Sequence, residues 1–295
     1  MGCDPRKAEV QEAKVAFAVN LVVWFIRLFL GLLVGSVALI ADAWHALTDN
    51  LTTIIVFISS KLANKPPDKE HPYGHGKIAD IGTLIMSLII LLIAVYIAYE
   101  SVIRFLQGYT YIEEYVVIAI IAVLITSLMK EILARYAIKL YRTSNSLLCL
   151  ADAWHHRIDA LTGLGVAIVF LSISITKLYV IDLITALTIA VLIFYEGLDI
   201  FRKASLALID TTSLPIAKKI NEIASKIEGI KYVHDIRIRN YGGYYVVDLK
   251  IHVLPELSVE EAHDLAHKVE ELIKNEIGRV KEVIVHVEPL GREER

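Results

Sequence analysis

Long apolar stretches separated by short polar segments make up the first two thirds of the chain. A transmembrane helix requires about 20 consecutive, mostly apolar residues. Six stretches reach that length, so the pattern predicts a six-helix membrane domain over residues 1–203. The predicted helices cover residues 15–34, 37–62, 80–105, 113–138, 147–175 and 179–200. Hydrophobic residues form 56% of the chain, above the roughly 45–50% of soluble proteins. The composition therefore also indicates a multi-pass protein of the lipid bilayer.

The hydrophobic pattern changes after Arg202-Lys203. We predict a linker over residues 204–213 and a soluble domain over residues 214–290. Apolar residues recur at helical spacing from Leu214 onwards, and a capping box begins a second helix at Ser258.

Strand-like alternation completes the predicted C-terminal domain. It covers residues 231–240 and 244–254, with a turn at Gly242-Gly243, and then residues 280–288. The order α-β-β-α-β predicts an α+β domain in which two helices back an antiparallel-rich sheet. Because a domain of this size is only marginally stable alone, pairing with a second copy would help it.

Basic residues in the loops predict the orientation of the chain, since Lys and Arg are enriched on the cytoplasmic side. One side has Arg6, Lys7, Lys14, Lys61, Lys65, Lys69, Lys77, Lys130, Arg135, Lys139 and Arg142, whereas the other has little more than Arg104 and Lys177. We therefore expect both termini in the cytoplasm and the cell membrane as the location. The net charge of −3 gives no basis for a nucleic-acid partner, and none is expected.

Two of the apolar stretches contain the same polar motif, A-D-A-W-H-x-x-x-D. In each copy the His and the last Asp are four residues apart, so on a helix they share one face. Ionisable groups inside a membrane are costly and are usually functional. Two imidazoles and two carboxylates suit a tetrahedral divalent ion such as zinc. The sequence thus predicts an intramembrane metal site, which we call the transmembrane quartet: His45, Asp49, His155 and Asp159.

Three further acidic residues lie in these apolar stretches. Asp42 and Asp152 belong to the repeated motif and are expected either to support the quartet or to line the route to it. Asp182 is either a residue of that route or a helix N-cap, and the cap is the favoured interpretation.

The loop after the second predicted helix contains Asp68, His71 and His75, which we call the loop cluster. Pro72 and Gly74 would bring the two imidazoles round towards the carboxylate. Spacing alone supports a metal site and an ordinary polar loop equally, because histidine content is only a compositional hint.

Histidines also mark the C-terminal domain. His286 and Glu288 are two residues apart on one strand and share a face, and His252 lies on the polar face of its own strand. His234 is two residues before the apolar Ile236, so on a regular strand both side chains lie on the same face. This argues against a single ligand face for the histidines. Spacing alone favours ordinary surface histidines here.

Taken together, these motifs resemble the cation diffusion facilitators, proton-coupled exporters of divalent metal ions. The resemblance rests on ADAWHALTD, ADAWHHRIDA, HPYGHGK, Tyr99-Glu100-Ser101 and the αββαβ tail. It implies six transmembrane helices, a cytoplasmic ferredoxin-like domain for metal binding and dimerisation, and a homodimer. It makes the quartet the transport site, of the zinc-preferring type with Co²⁺ and Cd²⁺ following, and the loop cluster a second metal site. It also implies a regulatory zinc site of His234, His252, His286 and Glu288 at the dimer interface, with His263 as a bridging ligand.

The predicted function is therefore export of Zn²⁺ from the cytoplasm by alternating access, with protons moving in the opposite direction. Ligands must be deprotonated to bind metal, so protons compete with it. An intramembrane metalloenzyme is disfavoured, because the chain has no H-E-x-x-H motif. The alternatives are a manganese or iron exporter of the same fold and a metal-gated channel or sensor.

Overall fold

We describe the protein from a computed structural model covering residues 5–107, 113–144, 146–241 and 244–291. The chain divides into two compact units. The first, here the membrane unit, comprises Met1–Phe57 and Ile85–Ile200. The second, here the C-terminal unit, comprises Ile58–Leu84 and Phe201–Arg295.

Long helices dominate the first part of the chain. They are α1 (Pro5–Val34), α2 (Val37–Ala63), α3 (Lys77–Gln107), α4 (Val116–Ser144), α5 (Leu147–Thr176) and α6 (Val180–Leu208). Among the described residues, five of them, all but α2, are long and apolar enough to cross a membrane. A multi-pass membrane protein is thus confirmed. Helix α2 has sufficient length but contains Asp42, His45, Asp49 and Asn50, so a sixth span stays a prediction.

The helices are longer than the hydrophobic pattern predicts. Helix α1 begins at Pro5 instead of residue 15, and proline is compatible with the first turn of a helix. Helix α6 continues to Leu208, so the first part of the predicted linker is helical. Hydropathy marks only the apolar portion of a helix, whereas its backbone hydrogen bonds continue into the polar residues beside it.

The sharp turn between α1 and α2 depends on Asp182 of α6. Gly35 adopts a positive φ of 82° at the turn. The Asp182 carboxylate then accepts hydrogen bonds from the backbone N–H of Val37 at 2.7 Å and of Ala38 at 3.3 Å. It also accepts one from the Ser36 hydroxyl. Asp182 is therefore a helix cap, as the favoured interpretation held, but it caps α2 instead of its own helix.

The C-terminal domain has the predicted order α-β-β-α-β. Its elements are α7 (Leu214–Ala224), β1 (Ile230–Tyr241), β2 (Tyr244–Val253), α8 (Val259–Glu276) and β3 (Val280–Pro289). The predicted Gly242-Gly243 turn lies outside the described residues.

The sheet of this domain is mixed, and in this respect the predicted antiparallel-rich sheet is wrong. Its strand order is β1-β2-β3; β1 and β2 pair antiparallel, whereas β2 and β3 pair parallel. Helix α8 connects β2 to β3, and a crossover helix of this kind permits parallel pairing.

One face of the sheet packs against α7 and α8. Ile220 and Ile223 of α7 and Ile273 of α8 form a common buried core with Leu249 and Ile251 of β2. The predicted capping box at the start of α8 is present, with the Ser258 hydroxyl accepting from Glu261 N–H at 3.2 Å. The opposite face of the sheet is left for polar side chains.

Candidate metal sites

The structure brings the transmembrane quartet together between α2 and α5. His155 Nε2 lies 3.5 Å from Asp49 Oδ1 and 3.6 Å from Asp159 Oδ2. Ligand atoms of these three residues all lie within 4.8 Å of one another. His45 joins them through Asp159, with 3.8 Å between Nε2 and Oδ1. Imidazoles and carboxylates thus converge from both helices, as the repeated four-residue spacing predicts.

Lys130 of α4 is a member of this site that sequence reasoning missed. Its ammonium donates to Asp159 Oδ2 at 2.7 Å and to Asp49 Oδ2 at 3.3 Å. Only 2% of its side chain is exposed. Lys130 is therefore a buried residue of α4 and not part of a basic loop. The missed signal was a lysine within an apolar helix, where a charge is costly unless it has a partner.

Two polar side-chain contacts hold α5 beside its neighbours. Next to the quartet, His156 Nε2 lies 3.0 Å from Glu12 Oε1 of α1, and both side chains are buried. Arg157 contacts Glu131 of α4 through Nε at 3.3 Å and through a terminal nitrogen at 3.4 Å. Because His156 and Arg157 directly follow His155 in sequence, these contacts restrict rotation of the helix face that presents it.

An ion pair holds α2 beside α1. Arg27 of α1 lies 2.6 Å from Asp42, one turn before His45, and its Nε donates to the Thr126 hydroxyl of α4 at 3.1 Å. Both charged side chains are 3% exposed. Through this pairing Asp42 supports α2, which contributes His45 and Asp49 to the quartet.

Two cavities reach the quartet. One, of about 280 Å³, is lined by Asp49 and His155 together with Glu12, Asn20 and Asp152. The other, of about 210 Å³, is lined by His45, Asp159, His155, Asp42, Thr162 and Glu196 among others. Along α2 the first cavity meets residues 48–53 and the second meets residues 42–45. They therefore approach the quartet from opposite directions along the helix.

The loop cluster is assembled within the C-terminal unit. Asp68 lies 3.2 Å from His71 Nδ1 and 3.4 Å from His75 Nε2, and ligand atoms of all three lie within 4.8 Å of one another. Backbone N–H groups of His71 and Glu70 also donate to Asp68. The His71 N–H is the largest cause of a lowered pKa for the Asp68 carboxyl, which stays available as an anionic ligand.

Two contacts fix the loop in its own unit. The Tyr241 hydroxyl of β1 donates to the carbonyl of Gly74 at 2.5 Å, and Lys77 pairs with Asp210 at 2.9 Å. Gly74 adopts a positive φ of 95° between the two histidines, a conformation that glycine permits at low cost.

A third cluster lies on the polar face of the C-terminal sheet. His234 and His252 have their Nε2 atoms 3.2 and 3.3 Å from Glu288 Oε2, and 3.0 Å from each other. We call these three residues the sheet cluster. His286 approaches Glu288 at 3.5 Å and is 66% exposed. Among the described residues, the group of three close ligands here does not include His263, which lies on α8.

A bulge in β1 explains why His234 joins this face. The pairing of β1 with β2 shifts register between His234 and Arg237, and Asp235 has a positive φ of 50°. A bulge adds one residue to a strand and reverses the alternation beyond it. His234 can therefore face its ligand partners while Ile238 faces the core. The argument from strict alternation against a single ligand face was wrong.

Lys250 accompanies the sheet cluster much as Lys130 accompanies the quartet. Its Nζ lies 3.1 Å from Asp235 and 3.3 Å from Glu288 Oε1. The pKa of Lys250 is raised by its hydrogen bonds to Asp235 and Glu288. Burial favours a raised pKa for Glu288, but hydrogen bonds from Lys250 and His234 outweigh it and lower that pKa.

Comparison with known proteins gives matches along nearly the whole chain. The model of the cation efflux transmembrane domain matches residues 13–209, and that of the cation efflux protein cytoplasmic domain matches residues 215–290. These matches confirm the resemblance inferred from the sequence motifs.

Three relatives show the same full-length correspondence. The manganese efflux system protein MneP of Bacillus subtilis is 31% identical, over 95% of this chain and 96% of its own length. The manganese efflux system protein MneS of the same organism is 30% identical, over 97% of this chain and 98% of its own length. The magnetosome protein MamB of Magnetospirillum gryphiswaldense is 28% identical, over 93% of this chain and 92% of its own length.

Proposed function

The chain belongs to the cation efflux family and is a membrane exporter of divalent metal ions, not an enzyme. On this premise we propose that it exports Zn²⁺ from the cytoplasm in exchange for protons. The transmembrane quartet is the transport site. The observation that carries the proposal is the convergence of two His–Asp pairs at 3.5–3.8 Å between α2 and α5.

The donor set of the quartet favours zinc. Zn²⁺ prefers four ligands in a tetrahedral arrangement and accepts imidazole nitrogen and carboxylate oxygen together. Mg²⁺ and Mn²⁺ are better served by sites built mainly from oxygen. Co²⁺ and Cd²⁺ are expected to follow Zn²⁺ in this site.

The two cavities support alternating access. Each reaches the quartet from a different direction along α2, and each is lined by His155. In the proposed cycle Zn²⁺ enters by one route and leaves by the other, with α1 to α6 all crossing the membrane. Both termini lie in the cytoplasm in this arrangement.

Proton coupling follows from the chemistry of the ligands. Carboxylates and imidazoles bind metal only when they are deprotonated, so protons arriving from the far side compete with Zn²⁺ and assist its release. The sequence contains no Walker-type G-x-x-x-x-G-K-[ST] motif, and in this proposal the proton gradient supplies the driving force.

Manganese is the second candidate cargo. Two relatives with 31% and 30% identity are named as manganese efflux proteins. The proposal for zinc rests on the donor set, and the proposal for manganese rests on this similarity.

The loop and sheet clusters are proposed as additional metal sites with a structural or regulatory role. Each combines two imidazoles with one carboxylate, which leaves a coordination position for another ligand. In a homodimer joined through the C-terminal domain, a partner copy or the exposed His286 and His263 would supply it.

Transport in proteoliposomes tests the proposal. The purified protein is reconstituted, a pH gradient is imposed, and Zn²⁺ and internal pH are followed together with His45→Ala and Asp49→Ala. We expect Zn²⁺ and protons to move in opposite directions, and both variants to lose this exchange. Flux of Mn²⁺ or Fe²⁺ without Zn²⁺ would overturn the zinc assignment. Zn²⁺ flux indifferent to the pH gradient would indicate a channel.

A further inference from the structure

We propose that Lys130 is a tethered cation that competes with the transported metal for Asp49 and Asp159. This inference rests on the proposed function of the quartet. It concerns how the two carboxylates are neutralised when no metal is bound, and it makes Lys130 a determinant of metal affinity.

The geometry places the ammonium on atoms that a metal would need. Lys130 Nζ lies 2.7 Å from Asp159 Oδ2 and 3.3 Å from Asp49 Oδ2, one oxygen of each carboxylate. The imidazole of His155 approaches the other oxygen of Asp49 and the same oxygen of Asp159. A metal ion bound between His155 and this oxygen of Asp159 would share the oxygen with the ammonium, and repulsion between the two positive charges favours withdrawal of the ammonium.

Burial gives this contact its strength. The side chains of Lys130 and Asp159 are 2% and 6% exposed, and that of Asp49 is 14% exposed. Two neighbouring carboxylates with little solvent repel each other strongly unless a cation lies between them. Lysine suits the role because its ammonium is a compact charge on a flexible stem and can withdraw when another cation arrives.

The contact also connects three helices. Lys130 belongs to α4, Asp49 to α2 and Asp159 to α5. Displacement of the ammonium from Asp159 by a metal weakens the attachment of α4 to α5, whereas metal release restores the contact. The exchange of one cation for another thus changes the attachment of α4 at the transport site.

Two substitutions of Lys130 separate competition from simple structural support. In Lys130→Gln the competing charge is absent, so the KM for Zn²⁺ transport should fall about tenfold, the ratio expected for the loss of one modest charged contact. Its kcat should also fall, because the carboxylates then return through the cycle without a counter-ion. In Lys130→Arg the KM should rise, because a guanidinium binds carboxylates in a fork and leaves them less readily.

The experiment measures KM and kcat for Zn²⁺ in proteoliposomes of the full-length protein. Lys139→Gln, which removes an exposed charge from the same helix, is the matched control and should leave both parameters unchanged. A KM that rises in Lys130→Gln, or that stays unchanged in both substitutions, would overturn the inference. If Lys130→Gln does not fold, as judged by size-exclusion chromatography, the KM of Lys130→Arg decides alone, and an unchanged value refutes competition.

His45→Ala and Asp49→Ala, measured in the same series, test the quartet as the transport site separately from the competition by Lys130. If they transport Zn²⁺ normally, the quartet is not the transport site and the proposed function fails. If they are inactive while the Lys130 variants keep the wild-type KM, the proposed function stands and only the competition by Lys130 is rejected.

Discussion

The quartet and the sheet cluster contain the same kinds of side chain but differ in their exposure to solvent. Each combines imidazoles, carboxylate and a nearby lysine at distances of 2.7–3.8 Å. Lys130 is 2% exposed and Asp159 is 6% exposed, whereas Lys250 is 32% exposed and Glu288 is 22% exposed. The imidazoles show the opposite order, since His155 of the quartet is 42% exposed and His252 of the sheet cluster is 13% exposed. The two sites therefore differ in how far water can replace a lost charged partner, and not in the exposure of their histidines.

This difference explains why similar clusters can serve different purposes. In a dry site a charge must be matched by another charge, so an incoming cation must displace an existing one. At a partly solvated site, water and salt screen the same contacts, and each is worth less. We therefore expect the quartet, whose lysine and carboxylates are buried, to control transport, and the sheet cluster to adjust it.

The largest contrast should come from neutralising one carboxylate in each cluster. Asp159→Asn should reduce Zn²⁺ transport in proteoliposomes by about 100-fold or more, since even supporting groups around a metal change its binding by roughly 10–100-fold. Glu288→Gln should leave the rate within a few-fold of wild type. Equal losses in the two variants would contradict the division of roles.

A second contrast concerns ion pairs outside the ligands. Arg27→Met leaves Asp42 buried and unpaired, and breaking a buried pair in this way costs about 3–5 kcal/mol. Arg239→Met breaks the partly exposed pair with Asp248 in the C-terminal sheet and should cost less than about 1 kcal/mol. Thermal unfolding in detergent compares the variants, and a Tm loss no greater for Arg27→Met than for Arg239→Met would count against the buried pair.

Metal stoichiometry tests the sheet cluster directly. His252→Ala removes a ligand that approaches both Glu288 and His234, so the protein should bind fewer Zn²⁺ ions per chain while proton-coupled transport persists. His267→Ala is the matched control, because His267 is 58% exposed on α8 and pairs only loosely with Glu271 at 3.8 Å. Elemental analysis after gel filtration gives the count, and identical Zn²⁺ content in both variants would remove His252 from the site.

The smallest expected effect is a pH dependence of the C-terminal sheet. The pKa of Glu288 is lowered: burial opposes this, but hydrogen bonds from Lys250 and His234 prevail. The pKa of Asp235 is lowered chiefly by its hydrogen bond from Lys250. A carboxyl whose pKa is lowered in the folded state stabilises the fold above its unfolded pKa, about 4.3 for Glu, and this stability is lost as pH falls.

When the pH is lowered from 7 to below about 4, Glu288→Gln should therefore lose less folding stability than wild type. Hydrogen exchange of peptides from β3, compared between the two proteins at each pH, measures the difference. Parallel curves for wild type and Glu288→Gln would show that the ionised carboxylate does not stabilise the sheet.

Local patterns in the sequence were sufficient for several parts of this account. The four-residue spacing places His45 above Asp49, and His155 above Asp159, on any helix that contains them. The loop cluster spans only residues 68–75, so its members could hardly be far apart. The order of helices and strands in the C-terminal domain also follows from local periodicity, although the ends of the long helices do not.

Other features required contacts between residues far apart in the chain. Lys130 was recognisable as a charge in an apolar helix, but its partners on α2 and α5 were not. Asp182 had the composition of a cap, yet the helix that it caps is a different one. The register shift after His234 and the parallel pairing of β3 likewise depend on a neighbouring strand.

The sequence by itself thus determined which residues form helices and strands, which family the chain resembles and which side chains could bind a metal. These properties depend on hydrophobic period, capping and residue type, which act over a few neighbouring residues. Only the tertiary structure decided that an ammonium lies between Asp49 and Asp159, and that a bulge turns His234 towards Glu288. Both depend on how separate elements pack, because a charge buried between helices is stable only where packing brings its partners within reach.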